Sequence, residues 1–304
     1  MHLALVLQQG RKSANIQGSP GDIGEIPAKT RAGPDMFFVF GSPRSGTTLL
    51  AQCLSAHPDV IVPDETDIII PTAFMFDRLA DPLIRRDVLK KFIVNTSRFP
   101  TSIGEFLSPA QVADIVDSHS ERPDEFFEAL YAAIADRAGA RIAGDKSPND
   151  LLFLRMLFKV GAISPKAKII HIVRDVRDVV SSIGISKMTD APERWFPRFW
   201  GTSNLYLWDL YHQSEQYRLV RYEEFVRAPD QTLQGLCAHL GLEYQRQMLN
   251  PDLRHSRYRT MVQHGKLFES ISDKYVGAYR SVLPAPIIVV CETHAAEAIR
   301  TFGY

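Results

Sequence analysis

A glycine-containing segment near residue 41 has the residue types and spacing that bind phosphate. It reads Gly41-Ser42-Pro43-Arg44-Ser45-Gly46-Thr47-Thr48 and follows the apolar run Phe37-Phe38-Val39-Phe40. Between a buried strand and a helix, backbone N–H groups and the helix N-terminus form an anion cradle. A simple turn after a core strand is the alternative interpretation. The binding candidates in this loop are Pro43, Arg44, Ser45, Gly46, Thr47 and Thr48.

The cation of this loop decides which phosphate chemistry it fits. The Gly-x4-Gly spacing is that of nucleotide triphosphatases, but Thr47 stands where those proteins have a lysine. Without that lysine the β- and γ-phosphates lose their usual partner, which argues against a P-loop kinase or nucleotidase. Arg44 instead places a guanidinium inside the loop, where it can reach a group that leaves from the 5′ end of a nucleotide.

A second segment, residues 170–182, joins another apolar run to a helix. Arg174 stands at the end of this run, and Ser181 and Ser182 follow one helical turn and more beyond it. The hydroxyls and the guanidinium can therefore face the same anion. Surface ion pairing within Arg-Asp-x-Arg-Asp, residues 174–178, is the alternative, but the presence of the first loop favours an anion site.

Together these segments resemble the sulfotransferases that use 3′-phosphoadenosine 5′-phosphosulfate (PAPS), and the motif pattern is closest to the tyrosylprotein and bacterial types. The first loop resembles their 5′-phosphosulfate loop. The second resembles their 3′-phosphate segment, which implies that Arg174 and Ser182, eight residues apart, hold the 3′-phosphate. The segment Arg221-Tyr222-Glu223-Glu224-Phe225 is a third match, which implies that Tyr222 faces the nucleotide, and residues 298–304 resemble the common C-terminal ending of the family.

The resemblance implies transfer of the sulfuryl group of PAPS to a hydroxyl or amine of an acceptor, with 3′,5′-adenosine diphosphate as the product. Such a reaction needs a base for the acceptor proton. Glu65 is the candidate, because the tyrosylprotein enzymes have their catalytic glutamate before a threonine at the same separation from the loop, seventeen residues after Thr48 here. Asp64 and Asp67 flank Glu65 and are alternatives. The histidine base of the cytosolic small-molecule enzymes has no counterpart in this sequence.

The resemblance also implies cations at the leaving group. Lys146, in Gly144-Asp145-Lys146-Ser147-Pro148, matches a lysine that precedes proline in the family. With Arg44 it would neutralise the departing phosphate and complete the catalytic set with Glu65. A surface lysine is the alternative interpretation of Lys146. Lys274 lies in a late segment that resembles the part of the family fold closing over the nucleotide.

The pattern of strands and helices predicts an α/β fold that positions these segments. Apolar runs at 37–40, 167–173 and 218–221 predict strands. The alternation with helical patterns predicts a P-loop-type three-layer fold with a central parallel sheet flanked by helices. The helices predicted at 49–56, 77–95, 108–118, 123–137, 175–187, 229–240 and 284–302 include, between 77 and 137, a helical acceptor-binding insertion. Residues 1–35, rich in Gly and Pro, are expected to form a flexible tail before a single domain at 36–304.

Composition and charge limit the partners. Lys plus Arg equals Asp plus Glu at 35 each, so no global field recruits nucleic acid. No apolar run approaches the ~20 residues of a membrane span, and a cytoplasmic location is expected.

The three cysteines are widely spaced and the histidines lack zinc spacing, so reduced thiols and no metal are expected. The acceptor, whether small molecule, glycan, lipid or peptide, and the oligomeric state stay open. A catalytically silent nucleotide-binding scaffold is a further alternative.

Overall fold

Five parallel strands form the centre of the fold. The structure is a computed structural model of the 304-residue chain, and it describes residues 36–253 and 268–304. The predicted tail at 1–35 lies outside the described residues. Within the described ranges the sheet order is β2-β3-β1-β4-β5. The strands are β1 (Met36–Phe40), β2 (Val60–Ile61), β3 (Ile142–Asp145), β4 (Lys168–Val173) and β5 (Tyr217–Arg221).

Helices cover both faces of this sheet. The helices that precede β4 in the chain are α1 (Thr47–Ser55), α2 (Ile69–Arg78), α3 (Pro82–Asn95), α4 (Pro109–His119), α5 (Pro123–Ala138) and α6 (Leu154–Lys159). The remaining helices are α7 (Val176–Ser186), α8 (Phe196–Tyr211), α9 (Tyr222–Arg227), α10 (Pro229–Leu240), α11 (Tyr279–Val282), α12 (Ala285–His294) and α13 (Ala296–Phe302). None of these helices is long and apolar enough to span a membrane.

The three layers follow from the side chains of β1, all of which are buried. Met36, Phe38 and Phe40 pack into one hydrophobic cluster, whereas Phe37 and Val39 pack into another. Alternate residues of a strand point to opposite faces, so each cluster occupies one face of the sheet. The fully apolar sequence of β1 therefore reflects a strand covered on both sides, as predicted.

Four helices, α2 to α5, lie between β2 and β3 in the chain. Two of their boundaries have clear local causes: Ser108 caps α4 in a capping box with Gln111, and Gly139 ends α5 in a left-handed conformation. The predicted helix at 77–95 is two helices, because Asp81 caps α3 by accepting hydrogen bonds from the backbone N–H groups of Leu83 and Ile84. The insertion is thus helical, as predicted.

The prediction of one continuous C-terminal helix at 284–302 is wrong. The chain leaves helical geometry at Ala295, with φ −117° and ψ 17°, so that α12 and α13 are separate helices. This break brings the Cα of Ala295 close to α8, where a Cβ on Gly201 would lie only 3.6 Å from it. Close packing against α8, a helix that the sequence patterns did not identify, accounts for the change of direction.

Candidate active site

The parallel sheet brings the carboxyl ends of all five strands to one edge, and each segment that leaves this edge carries a candidate residue. Glu65 follows β2, Lys146 follows β3, and the loop at 41–48 follows β1. Arg174 directly follows β4, and Tyr222 directly follows β5. Because the strand order is β2-β3-β1-β4-β5, the loop has Glu65 and Lys146 on one side and Arg174 and Tyr222 on the other.

The loop after β1 has the backbone geometry of an anion cradle. Arg44 and Gly46 both have positive φ, 68° and 93°, and α1 begins immediately afterwards at Thr47. Alternating left-handed residues turn consecutive N–H groups toward a common point, and the N-terminus of α1 adds its dipole. Arginine rarely adopts this conformation, and such strain is typical of functional loops. The loop also contains a hydrogen-bonded turn, in which the Ser45 N–H donates to the Ser42 carbonyl oxygen at 3.1 Å, so this turn and the cradle geometry occur together.

Arg44 connects the two predicted anion-binding segments. Its Nε donates a hydrogen bond to Ser182 Oγ at 3.0 Å, and its carbonyl oxygen accepts one from an Arg174 terminal nitrogen at 3.2 Å. These contacts join residues that are more than 100 positions apart in the sequence. The loop and the Arg174 segment therefore form a single site.

Two guanidinium groups lie close together in this site. Burial, together with the charge of Arg174, lowers the pKa of Arg44 from its usual value. Nε of Arg174 is buried and has no hydrogen-bond partner among the described residues. A bound anion would reduce the repulsion between the two cations and would accept a hydrogen bond from the buried Nε. The arrangement therefore fits a phosphate. Arg174 and Asp178 are only 8% and 2% exposed, so surface ion pairing does not explain this segment.

Tyr222 packs against both parts of the site. A Cβ on Gly46 would lie 2.6 Å from Tyr222 Cδ2, so the ring rests directly on the loop. The guanidinium carbon of Arg174 lies 4.4 Å from the centre of the same ring. Burial raises the pKa of the Tyr222 hydroxyl, which therefore stays protonated at neutral pH. The tyrosine thus contacts the loop and Arg174 and also belongs to the hydrophobic cluster that contains Phe37 and Val39.

A cavity of about 230 Å³ opens beside the loop. The predicted binding residues that line it are Arg44, Gly46, Thr47, Thr48, Arg174, Ser182, Tyr222 and Lys274. Pro43 and Ser45 do not line it: Ser45 is fully buried, and its hydroxyl shares a hydrogen bond with that of Ser42 at 2.6 Å. Pro43 and Ser45 therefore belong to the loop but do not form part of the cavity wall.

The far wall of the cavity comes from a segment that begins near residue 269. Asp178 holds this segment, because its carboxylate accepts the backbone N–H groups of Gly277 at 2.7 Å and Tyr279 at 2.9 Å. Arg174 donates to the carbonyl oxygen of Tyr275 at 3.0 Å. Lys274 lines the cavity, but its ammonium group pairs with Glu269. Sequence reasoning missed the anchoring role of Asp178, although its position in Arg-Asp-x-Arg-Asp was a visible signal.

Glu65 and Lys146 form an ion pair on the other side of the loop. Lys146 Nζ lies 2.5 Å from Glu65 Oε1. The lysine side chain is only 2% exposed and that of the glutamate is 25% exposed, so the interpretation of Lys146 as a surface lysine is wrong. An ammonium group is buried in this way only when it is paired. A carboxylate and a buried cation thus stand together after β3, the strand beside β1, although neither residue lines the cavity at the loop.

The two alternative carboxylates beside Glu65 contact a different cation. Asp67 accepts a hydrogen bond from Arg98 Nε at 3.2 Å, and Asp64 lies 3.9 Å from the same guanidinium. Arg98 also lies 3.9 Å from Glu65. Glu65 therefore lies between Arg98 and the buried ammonium group of Lys146.

Two curated relatives share part of this sequence. The chain is 25% identical over 221 residues to a putative protein-tyrosine sulfotransferase of Caenorhabditis briggsae, covering 71% of this chain and 68% of the relative. It is 26% identical over 223 residues to protein-tyrosine sulfotransferase 1 of Danio rerio, covering 69% of this chain but only 54% of that protein.

Solved structures share the fold. The sulfotransferase domain of the Synechococcus PCC 7002 olefin synthase superposes with a TM-score of 0.59 at 23% identity, over 92% of this chain and 98% of that domain. The sulfotransferase domain of the curacin biosynthetic pathway gives 0.58 at 20% identity, over 88% and 98%. The model of the sulfotransferase family matches residues 34–246. Since this match covers more than half of the chain, the protein belongs to the sulfotransferase family.

Proposed function

We propose that this sulfotransferase transfers the sulfuryl group of PAPS to a hydroxyl or amine of its acceptor, with Glu65 as the base. The observation that carries the proposal is the meeting of Arg44, Ser182 and Arg174 at one loop, with Arg44 Nε 3.0 Å from Ser182 Oγ. The carboxylate–ammonium pair of Glu65 and Lys146 follows β2 and β3, on one side of the same loop. An anion site next to a carboxylate and a buried cation supports group transfer from an anionic nucleotide.

The residues fit a nucleotide with phosphates at both ends of its ribose. Backbone N–H groups of the loop and the start of α1 would hold the 5′ end. Arg174 and Ser182 would hold the 3′-phosphate, which would give an acceptor to Arg174 Nε, a donor with no partner among residues 36–253 and 268–304. The ring of Tyr222 would contact the nucleotide from the side opposite Glu65. The segment that contains Lys274 would close the cavity.

The donor supplies an activated sulfuryl group, whose bond to the 5′-phosphate oxygen breaks as a bond to the acceptor oxygen or nitrogen forms. Glu65 Oε1 or Oε2 would take the acceptor proton. Lys146 and Arg44 would neutralise the charge that develops on the departing phosphate. Lys146 is paired with Glu65 at 2.5 Å, so its charge would lie next to the proposed base. These side chains would supply the charge compensation at the leaving group.

A tyrosine-containing peptide is the first acceptor class to test, because the two curated relatives are named as protein-tyrosine sulfotransferases. The chain spans 68% and 54% of their lengths. The helices α2 to α5 would form part of the acceptor site, since Arg98, three residues after the end of α3, lies 3.9 Å from Glu65. Small phenols and alcohols, glycans and lipids are the other acceptor classes for the same assay.

Titration calorimetry with two nucleotides tests the donor. We expect binding of 3′,5′-adenosine diphosphate without magnesium and weak binding of ATP with magnesium, because the loop has Thr47 where a triphosphate needs lysine. Transfer of label from ³⁵S-PAPS to a panel of acceptors then tests the reaction. Tight binding of ATP with magnesium and none of 3′,5′-adenosine diphosphate would establish the kinase or nucleotidase alternative. Donor binding without transfer to any acceptor would favour a silent scaffold.

Paired variants test the base. Glu65→Gln should lower the turnover number by roughly a hundredfold, since general-base catalysis contributes ~10²–10⁴-fold, and should leave 3′,5′-adenosine diphosphate binding unchanged. Asp67→Asn is the matched control, because this carboxylate is 44% exposed and bonds to Arg98. A larger loss of turnover in Asp67→Asn than in Glu65→Gln would reassign the base.

A further inference from the structure

A buried polar cluster lies directly behind Glu65 and Lys146. Its members are Thr66, Tyr131 and Asp145, which are 0%, 0% and 2% exposed. They come from three different elements: the segment after β2, helix α5, and the last residue of β3. No sequence pattern assigns a role to any of them, and the proposed transfer reaction does not use them directly.

The cluster is connected by hydrogen bonds to a single carboxylate oxygen. Asp145 Oδ1 accepts a bond from the Thr66 hydroxyl at 3.2 Å and another from the Tyr131 hydroxyl. The two hydroxyl oxygens lie 3.4 Å apart. Burial raises the pKa of Asp145, and the bonds from Tyr131 and Thr66 act in the opposite direction. Buried carboxylates are retained only with such partners, so each hydroxyl has a defined geometric role.

Two residues of the cluster are sequence neighbours of the proposed catalytic pair. Thr66 directly follows Glu65, and Asp145 directly precedes Lys146. The segment after β2 and the end of β3 are therefore joined by two adjacent side-chain contacts. One is Glu65 with Lys146 at 2.5 Å, and the other is Thr66 with Asp145 at 3.2 Å. The first contact must change when substrates engage Glu65 and Lys146, whereas the second is sealed in the core and can persist.

We propose that Asp145, Thr66 and Tyr131 are positioning residues that fix the separation between the Glu65 carboxylate and the Lys146 ammonium group during sulfuryl transfer. This inference rests on the proposed function. Reacting groups must be held within about 0.5 Å of their working geometry by neighbours whose own positions are locked. A fully buried carboxylate with two hydroxyl donors on two further elements provides that lock. It acts through Glu65 and Lys146 and does not touch the substrates.

Removal of one hydroxyl tests the cluster. Thr66→Val keeps the size and branching of the side chain but loses the bond to Asp145. We expect the turnover number to fall ten- to hundredfold, because a misplacement of about 1 Å can cost ~10²-fold. The dissociation constant of 3′,5′-adenosine diphosphate should stay within twofold, since Arg174 and Ser182 lie across the loop. Thr66→Ser, which restores the hydroxyl, should recover most of the turnover, and Tyr131→Phe should lower it in the same way.

Thr72→Val is the matched control. The Thr72 hydroxyl is also fully buried, but it has no hydrogen-bond partner among the described residues. The same chemical change there should leave turnover within about twofold, because no hydrogen bond is lost. Thermal unfolding of each variant reports any loss of stability. Equal losses of turnover in Thr66→Val and Thr72→Val would show a general effect of core substitution and would overturn the proposal.

A double-mutant cycle separates positioning from general structural support. If Thr66 acts through Glu65, Thr66→Val should cause little further loss of turnover in a Glu65→Gln background, whereas independent effects would multiply. Multiplying effects would overturn the proposal. A wild-type protein that transfers no label overturns the proposed function and this inference together. An active wild type with a fully active Thr66→Val variant overturns the inference alone.

Discussion

Replacement of Arg174 should weaken nucleotide binding only when the nucleotide carries a 3′-phosphate. Arg174 is 8% exposed, its guanidinium stacks on Tyr222, and its Nε has no partner among the described residues. We expect Arg174→Ala to weaken binding of 3′,5′-adenosine diphosphate far more than that of 5′-AMP, which lacks the 3′-phosphate. The ratio of the two dissociation constants isolates the 3′ contact.

The size of the effect follows from the contacts of Arg174. A hydrogen bond to a charged group contributes ~1.5–3 kcal/mol, which corresponds to a change of roughly 10- to 150-fold in affinity. Arg174 also donates to the carbonyl oxygens of Arg44 at 3.2 Å and Tyr275 at 3.0 Å. Loss of these two bonds loosens the cavity for both nucleotides, and this common factor cancels in the ratio. The ratio should therefore change by at least tenfold.

Titration calorimetry of both nucleotides with the wild type, Arg174→Ala and Arg177→Ala gives this ratio. Arg177 is a suitable control, because it removes the same charge three residues away but pairs with Asp175 and Glu292, each at 2.7 Å. We expect Arg177→Ala to leave the ratio unchanged. Equal weakening of both nucleotides by Arg174→Ala would refute the assignment of the 3′-phosphate to this residue.

Three further perturbations test the loop and the core. Arg44→Met should lower the rate of labelled sulfate transfer by about 10²–10³-fold, as the loss of a transition-state donor does elsewhere, and a rate within threefold of wild type would exclude that role. Gly46→Ala should abolish nucleotide binding in calorimetry, because φ is 93° and the new Cβ would meet Tyr222 at 2.6 Å; normal affinity would contradict the described loop. Burial lowers the pKa of His171 from 6.5 to about 4, so the unfolded chain binds the proton more readily. The free energy of unfolding in urea should therefore fall as the pH drops from 6.5 toward 4, and a flat profile would be inconsistent with a neutral buried histidine.

Much of the fold could be predicted from local patterns. β1 is a continuous apolar run and β4 a mostly apolar one, and both were predicted within one residue of their observed bounds. Helices α4, α5 and α10 begin or end at residues whose chemistry stops or starts a helix, such as Ser108, Gly139 and Gly241. β2 and β3 were missed because they have only two and four residues, too few for a periodic pattern to stand out.

The candidate residues, by contrast, were recognised by type and neighbours but not by their contacts. Lys146 gave no sign in the sequence that it would be buried and paired with Glu65, 81 residues away. Asp178 appeared to be one charge in a charged run, and only the folded chain shows it holding the backbone at Gly277 and Tyr279. Thr66, Tyr131 and Asp145 have no distinctive local pattern, so their cluster could not be found from the sequence.

The sequence by itself determined the chemistry of each segment. Gly and Arg spacing defined the phosphate-type loop, the absence of a lysine at Thr47 argued against a triphosphate, and apolar runs defined the main strands. The tertiary structure decided which segments meet. The sheet order β2-β3-β1-β4-β5 differs from the chain order, and it places Glu65 and Lys146 on one side of the loop and Arg174 on the other. Strand order depends on how helices pack over both faces of the sheet, and no local spacing in the sequence encodes that packing.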